Sequence, residues 1–257
     1  MKHFSISLIL IACSFQLHAQ VLSDTLKVVS YNLRFGERAS MEEFAAFIHA
    51  QDADLVALQE VDINTSRERA PHQNGKDFIA ELAHMTGMFG VFGKTIDYAG
   101  GYYGIGILSK YPITKTDRIL LPLTPDGKEQ RALLTVHVEL ADDKIIAFAS
   151  THLDYTNSAE RQRQVEKINE VLLSNTHPLL LCGDFNARPE SQEISVGMAP
   201  WILLDNQSPT SPSEDPRYKI DYIFGYPAKK WQLLASPNQS SLLSDHLPVV
   251  SEVKLMW

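Results

Sequence analysis

RALLTVHVELADDKIIAFASTHL, residues 131–153, is the stretch that decides the fold class. Val136, Val138 and Leu140 alternate with Thr135, His137 and Glu139, the period of a strand buried on one face. Lys144 to Leu153 reads as a second strand, and Ala141-Asp142-Asp143 between them reads as a turn. Two strands joined by so short a link form a hairpin. A hairpin is antiparallel, so a sheet built around it is not a doubly wound parallel one.

The same pattern continues on both sides. Downstream, Asn157 with Glu160 three residues later resembles a capping box, and Val165, Ile168 and Leu172 form the apolar stripe of a helix ending near Ser174. Leu179 to Leu181, Ile220 to Phe224 and Pro248 to Lys254 read as strands, and Gln207 to Lys219, rich in Pro, Ser and Asp, as a loop. Upstream, strands are expected at Leu26 to Tyr31, Asp54 to Leu58 and Ile105 to Leu108. Helices are expected at Met41 to Ala50 and Lys76 to Met85, and a turn at Gly100-Gly101. Many strands with few helices give an α+β class, antiparallel sheets with helices outside. No linker divides the chain.

The 257 residues are 44% hydrophobic and 21% charged, ordinary for a globular protein, and no internal repeat is visible. The net charge is −8, with no cluster of Lys or Arg. A protein that grips nucleic acid carries a basic face, so a stable nucleic-acid complex is not expected, although a bound cation can supply positive charge locally. Lys2, the apolar run Phe4 to Phe15 and Leu17-His18-Ala19 read as a signal peptide over 1–19, leaving a domain over 20–257 and an exported protein. Leu10-Ile11-Ala12-Cys13 also resembles a lipobox, which would anchor the chain through a lipid on Cys13. Cleavage after Ala19 leaves Cys182 alone, which excludes a disulfide framework; within its apolar run Cys182 reads as a core residue.

Polar residues recur at the ends of apolar strands. Asn32 follows Lys27 to Tyr31, Glu60 follows Asp54 to Gln59, and His152 follows Ile145 to Thr151. Asp184 and Asn186 follow Leu179 to Gly183, while Asp221 and Asp245-His246 adjoin the last strands. Each alone has a plain structural reading as a cap, a turn residue or a satisfied polar group. Together, carboxylates and an amide suit a hard cation such as Mg²⁺ or Mn²⁺. Two histidines among aspartates suit proton transfer near neutral pH.

The ordered set Ser30-Tyr31-Asn32-Leu33-Arg34, Leu58-Gln59-Glu60-Val61, Thr151-His152-Leu153, Gly183-Asp184-Phe185-Asn186, Ile220-Asp221-Tyr222-Ile223 and Ser244-Asp245-His246-Leu247-Pro248 resembles the endonuclease/exonuclease/phosphatase superfamily. Gly101-Tyr102-Tyr103-Gly104, Glu129-Gln130-Arg131 and Arg161-Gln162 resemble further blocks of it. The resemblance covers nearly the whole chain after residue 20. It implies a four-layer α/β/β/α sandwich with the site at one end, and a metal-dependent phosphoesterase. It further implies that Glu60 ligates the metal with Asn32 beside it and Asp245 as a second ligand. Asp221 would orient His246, Asp184 and Asn186 would position the attacking water or leaving group, and His152 would meet the phosphate or the leaving oxygen. Arg34, Tyr103, Arg131 and Arg161 are the expected substrate contacts. Whether His246 works charged or neutral, and whether one metal or two are bound, stays open.

Within the superfamily the chain is most similar to a compact bacterial branch. His152 stands where abasic-site nucleases carry tyrosine, and the cysteine pair of secreted deoxyribonucleases is missing. The expected activity is hydrolysis of a small or lipid-linked phosphate mono- or diester by a monomer. Membrane contact would come only through the substrate or a lipidated Cys13. The alternatives are a secreted nuclease and, from another class, an inactive binding scaffold.

Overall fold

Alternation within strands and apolar stripes on helices meet in four layers in the computed structural model, which describes residues 24–125, 127–141 and 143–257. The expected signal peptide, Cys13 and Asp142 of the hairpin turn lie outside the described residues. Among these residues, one six-stranded sheet has the order β11-β12-β1-β2-β4-β3. Its strands are β1 (Thr25–Asn32), β2 (Leu55–Ile63), β3 (Phe89–Tyr98), β4 (Gly101–Ser109), β11 (Trp231–Ala235) and β12 (Val249–Leu255). The other has the order β5-β6-β7-β8-β10-β9. It is built from β5 (Ile113–Leu120), β6 (Ala132–Ala141), β7 (Lys144–His152), β8 (Leu179–Asp184), β9 (Ile202–Leu203) and β10 (Asp221–Tyr226).

Both sheets are mostly antiparallel, each with one parallel pair at its centre: β1 with β2, and β7 with β8. A parallel pair needs a crossover, and each uses a helix. α1 (Met41–Gln51) links β1 to β2, and α3 (Ser158–Leu172) links β7 to β8. Ser40 and Glu43 close a full capping box on α1. Asn157 caps α3, but Glu160 turns away from the box and bonds the Thr124 hydroxyl at 2.6 Å. α2 (Phe78–Thr86) starts two residues later than its pattern suggests, because Asp77 is its N-cap.

Three apolar cores hold the layers. Between the sheets, Val28, Leu55, Ala57, Ile105 and Ile107 meet Leu134, Val136, Phe148, Leu180, Cys182 and Ile223. Outside the first sheet, Val29, Tyr31, Val56 and Leu58 pack on Phe44, Ile48, Phe78 and Leu82 of α1 and α2. Outside the second, Ala147, Ala149, Leu179 and Leu181 pack on Val165, Ile168 and Leu172 of α3. The result is the expected α/β/β/α sandwich.

Parallel pairing brings like ends together, which positions the site. His152 ends β7 beside Asp184, which ends β8, and Asp184 faces Asp221, which starts β10. Gly183 makes this register possible: a Cβ there would lie 2.2 Å from the Thr151 carbonyl oxygen. Gly183→Ala is therefore expected to cost about 1–3 kcal/mol through overpacking. Urea unfolding would show a lower midpoint with an unchanged slope; an unmoved midpoint would contradict the close approach.

Candidate active site

Asn32, the last residue of β1, is fully buried, and its side-chain amide is fully committed. Nδ2 donates to Glu60 Oε1 at 3.1 Å and to Asp184 Oδ2 at 3.1 Å, while Oδ1 accepts the Arg34 backbone N–H at 2.9 Å. That last bond fixes which end of the amide is oxygen. Asn32 thus stands beside Glu60 as expected, but presents its NH₂ to the carboxylate.

Glu60 does not follow its strand; it lies inside β2, at an irregularity where the pairing with β4 shifts between Leu58 and Val61. Its φ of 55° belongs to the left-handed region. A bulge at this point breaks the alternation and re-aims the side chain. Asn32 supplies one hydrogen bond to this carboxylate, and among the described residues no cationic side chain pairs with it.

Four groups converge from the second sheet and the chain before β12. His246 Nδ1 lies 2.9 Å from Asp221 Oδ2, which also accepts the Thr210 hydroxyl at 2.5 Å. His246 Nε2 lies 3.8 Å from Asp184 Oδ2, and His152 Nε2 lies 3.5 Å from the same oxygen. The other oxygen of Asp184 accepts the Asn186 backbone N–H at 2.8 Å. Asn186, itself left-handed at φ 48°, donates from Nδ2 to the Leu153 carbonyl at 3.0 Å.

Burial alone would lower the His246 imidazole, but the Asp221 and Asp184 carboxylates overcome it and push it up to about 9. Burial, with repulsion from Asp221, pushes the Asp184 carboxyl up from the usual carboxylate range. Burial, reinforced by the Arg131 and His246 charges, holds His152 well below the usual histidine range. One histidine is therefore charged at neutral pH and the other is not.

Asp184, Asp221 and His246 also form a group of potential ligands, with atoms within 4.8 Å of one another. Two of the three are already joined by the His246–Asp221 bond, so that group works as a proton-holding dyad facing a carboxylate. The donor chemistry for a cation is better at Glu60. It is a carboxylate without an ionic partner, and Mg²⁺ keeps several waters while needing only one or two protein carboxylates.

The expected substrate contacts divide. Tyr103 is buried, with burial first and the Glu60 charge second pushing its phenol well up. It forms a wall beside Glu60. Arg34 pairs with Glu37 at 2.5 Å and also with Asp245, so the expected second metal ligand is engaged by a guanidinium. Arg131 is 3% exposed and meets His152 and Glu129, so it does not present an open phosphate clamp. Arg161 binds the buried Glu193 carboxylate at 2.8 Å and the Asp154 carbonyl at 3.2 Å; it is a packing residue of the α3 layer. Two supports were not foreseen. Thr210 braces Asp221 from a segment read as loop, and Lys219 pairs with the buried Asp205 at 2.9 Å. No periodicity marks either one.

Comparisons with known proteins show the family and the fold. The model of the Endonuclease/Exonuclease/phosphatase family matches residues 29–246. The uncharacterized protein YbhP of Escherichia coli K12 is 27% identical over 253 residues, covering 90% of this chain and 97% of that protein. A solved endonuclease/exonuclease/phosphatase from Beutenbergia cavernae superposes with a TM-score of 0.74 at 21% identity, over 90% of this chain and 72% of that one. A mannosyl-6-phosphatase of Bacteroides thetaiotaomicron superposes with a TM-score of 0.68 at 18% identity, over 90% of this chain and 100% of that one. At such identities these structures establish likeness of fold.

The dyad makes a measurable prediction. NMR should show His246 losing its proton near pH 9. Because its affinity is raised on folding, its contribution to stability is whole below about pH 6.5 and is lost as the pH rises through about 9. Asp221→Asn should move that midpoint down by about one unit or more. An unmoved midpoint would show that Asp221 is not what holds the proton.

Proposed function

Because the chain belongs to the endonuclease/exonuclease/phosphatase family, whose members hydrolyse phosphoester bonds, we propose that it hydrolyses a small or lipid-linked phosphate ester with Mg²⁺ or Mn²⁺. The observation that carries this reading is the convergence on Asp184. His152 and His246 approach its Oδ2, and the same oxygen is tied through the Asn32 amide to the unpaired Glu60 carboxylate. A charged donor, an acceptor and a carboxylate free for a cation occupy one end of the sandwich.

Glu60 would hold the cation, flanked by Asn32 and Asp245. When bound, the cation neutralises phosphate charge and eases attack by an anionic oxygen. The residues supply the rest. Asp184 accepts the proton of the attacking water, which burial makes it better able to hold, and Asn186 fixes that carboxylate through its backbone N–H. His246, held charged by Asp221, donates from Nε2 to the phosphate oxygens as negative charge builds on them. His152 contacts the phosphate or the leaving oxygen from the other side of Asp184.

The small-substrate preference is electrostatic. Gripping a duplex takes several cations free to meet phosphates. Here Arg67 is paired with Asp62, Arg69 with Glu37, Lys94 with Asp97, Arg131 with Glu129 and Arg161 with Glu193. One protein of the same fold is a mannosyl-6-phosphatase, which supports a sugar-phosphate ester as a substrate class to test.

Purified protein should release phosphate or headgroup from a panel of sugar phosphates, inositol phosphates and phospholipids with Mg²⁺ or Mn²⁺, and stop with a chelator. His246→Ala should lower the rate about 10²-fold or more with the fold intact by circular dichroism. Full activity in metal-free buffer would overturn the metal dependence. Efficient plasmid nicking at physiological salt without turnover of the small substrates would make the protein a nuclease.

The same reading includes export, motivated by the apolar run Phe4 to Phe15 after Lys2. Mass spectrometry of protein made in a secreting bacterial host should find a new amino terminus at Gln20. A lipid-modified Cys13 would make it an anchored protein, and an intact Met1 on cytoplasmic protein would exclude both.

A further inference from the structure

The two site histidines keep opposite company. His246 meets carboxylates at both nitrogens, Asp221 at 2.9 Å and Asp184 at 3.8 Å. His152 meets a carboxylate at one nitrogen only. Its Nε2 lies 3.5 Å from Asp184 Oδ2, but its Nδ1 lies 3.1 Å from Nη1 of Arg131. Both partners are deep in the protein, Arg131 at 3% exposure and His152 at 5%.

An arginine side chain has donors and no acceptor, and it does not lose its proton in a protein. A hydrogen bond from Arg131 to Nδ1 therefore requires a lone pair on Nδ1. The single ring proton must sit on Nε2, the nitrogen facing Asp184. A second ring proton would point at a guanidinium N–H.

Arg131 itself is held. Nη1 lies 2.9 Å from Glu129 Oε1, an ion pair without the alignment of a hydrogen bond. Gln130 Nε2 clamps the backbone by donating to the carbonyls of Leu121 at 2.7 Å and Arg131 at 2.8 Å. The charged and titratable groups around the ring are Arg131 and Glu129 before β6, Asp184 at the end of β8 and His246 before β12.

We infer that Arg131 is a positioning residue that acts through His152, holding it as the neutral Nε2–H tautomer so that it serves only as a hydrogen-bond donor in the site. The two histidines then have separate tasks. His246 carries the mobile charge, and His152 donates without taking up a proton that would compete with it. A phosphate oxygen or leaving oxygen near Asp184 would meet a donor that stays the same through the neutral range. The direction of the His152 shift, set by burial and then by Arg131, agrees with the geometry. The chemical consequence rests on the phosphoesterase reading; the tautomer does not.

The test is ¹⁵N–¹H NMR of the imidazoles in the full-length protein, with His152 assigned by loss of its signals in His152→Asn. The expected spectrum has one ring proton, on Nε2, from about pH 5.5 to 8.5 around the ordinary histidine value. A proton on Nδ1, or protons on both nitrogens at neutral pH, would overturn the inference even if the Arg131 variants do not fold. The double variant Glu129→Gln/Arg131→Met removes the guanidinium without stranding a buried carboxylate. In it, His152 should populate the Nδ1–H form or take up a second proton more readily than in the wild-type protein, with burial still holding it below the ordinary histidine value, and kcat/KM should fall about 10- to 100-fold. Arg131→Lys, which returns a charged donor, should restore part of the rate. An unchanged His152 protonation pattern in the double variant would also overturn the inference. A wild-type protein with the Nε2–H tautomer and no phosphoesterase activity would instead defeat the functional reading alone.

Discussion

One amide holds the two halves of the site in register. The NH₂ of Asn32 spans Glu60 of the first sheet and Asp184 of the second, with 3.1 Å to each. Carboxylates from facing sheets repel when they converge in a water-poor interior, and a neutral double donor between them offsets that repulsion without adding charge. The orientation is not free to invert, because the Asn32 oxygen is occupied by the Arg34 N–H. The spacing of the carboxylates, the aim of Asp184 toward both histidines and the open side of Glu60 all follow from this placement.

Electrostatics then separates the roles. The chain carries a net charge of −8, and the arginines nearest the site are neutralised by partners of their own. On the proposed reading, the positive charge offered to a phosphate comes from the protonated His246 and from a cation at Glu60, an arrangement suited to one phosphate group rather than to a polyanion tracked along its length.

The interior of the fold was legible and its borders were not. Eight strands read from hydrophobic pattern correspond to β1, β2, β4, β6, β7, β8, β10 and β12, the interior strands of the two sheets. The four without a clear pattern, β3, β5, β9 and β11, are the four edges. An edge strand such as β5, exposed over most of Thr114 to Arg118, buries too little to impose alternation on its sequence. The site shows the same division. Asn32, His152, Asp184, Asp221 and His246 were visible because each marks or adjoins the end of an apolar run. The bulge that turns Glu60 is invisible, since it depends on pairing with β4. Arg131 and Arg161 look like surface cations in one dimension. Only the fold shows that Glu129 and Glu193 have already claimed them.

The second sheet is drawn entirely from residues between Ile113 and Tyr226, whereas the first combines strands from both sides of that segment, with β1 hydrogen-bonded to β12 from Thr25↔Lys254 to Ser30↔Val249. During vectorial synthesis these sheets mature at different moments. The second has all its strands once residue 226 has emerged, while β1 waits for β12, made from Val249–Leu255. His246 arrives just ahead of that strand. A chain shortened before residue 246 thus carries Asn32, Glu60 and Asp184 but lacks His246 opposite them, so the topology leaves the candidate site incomplete until the segment leading into β12 has been made.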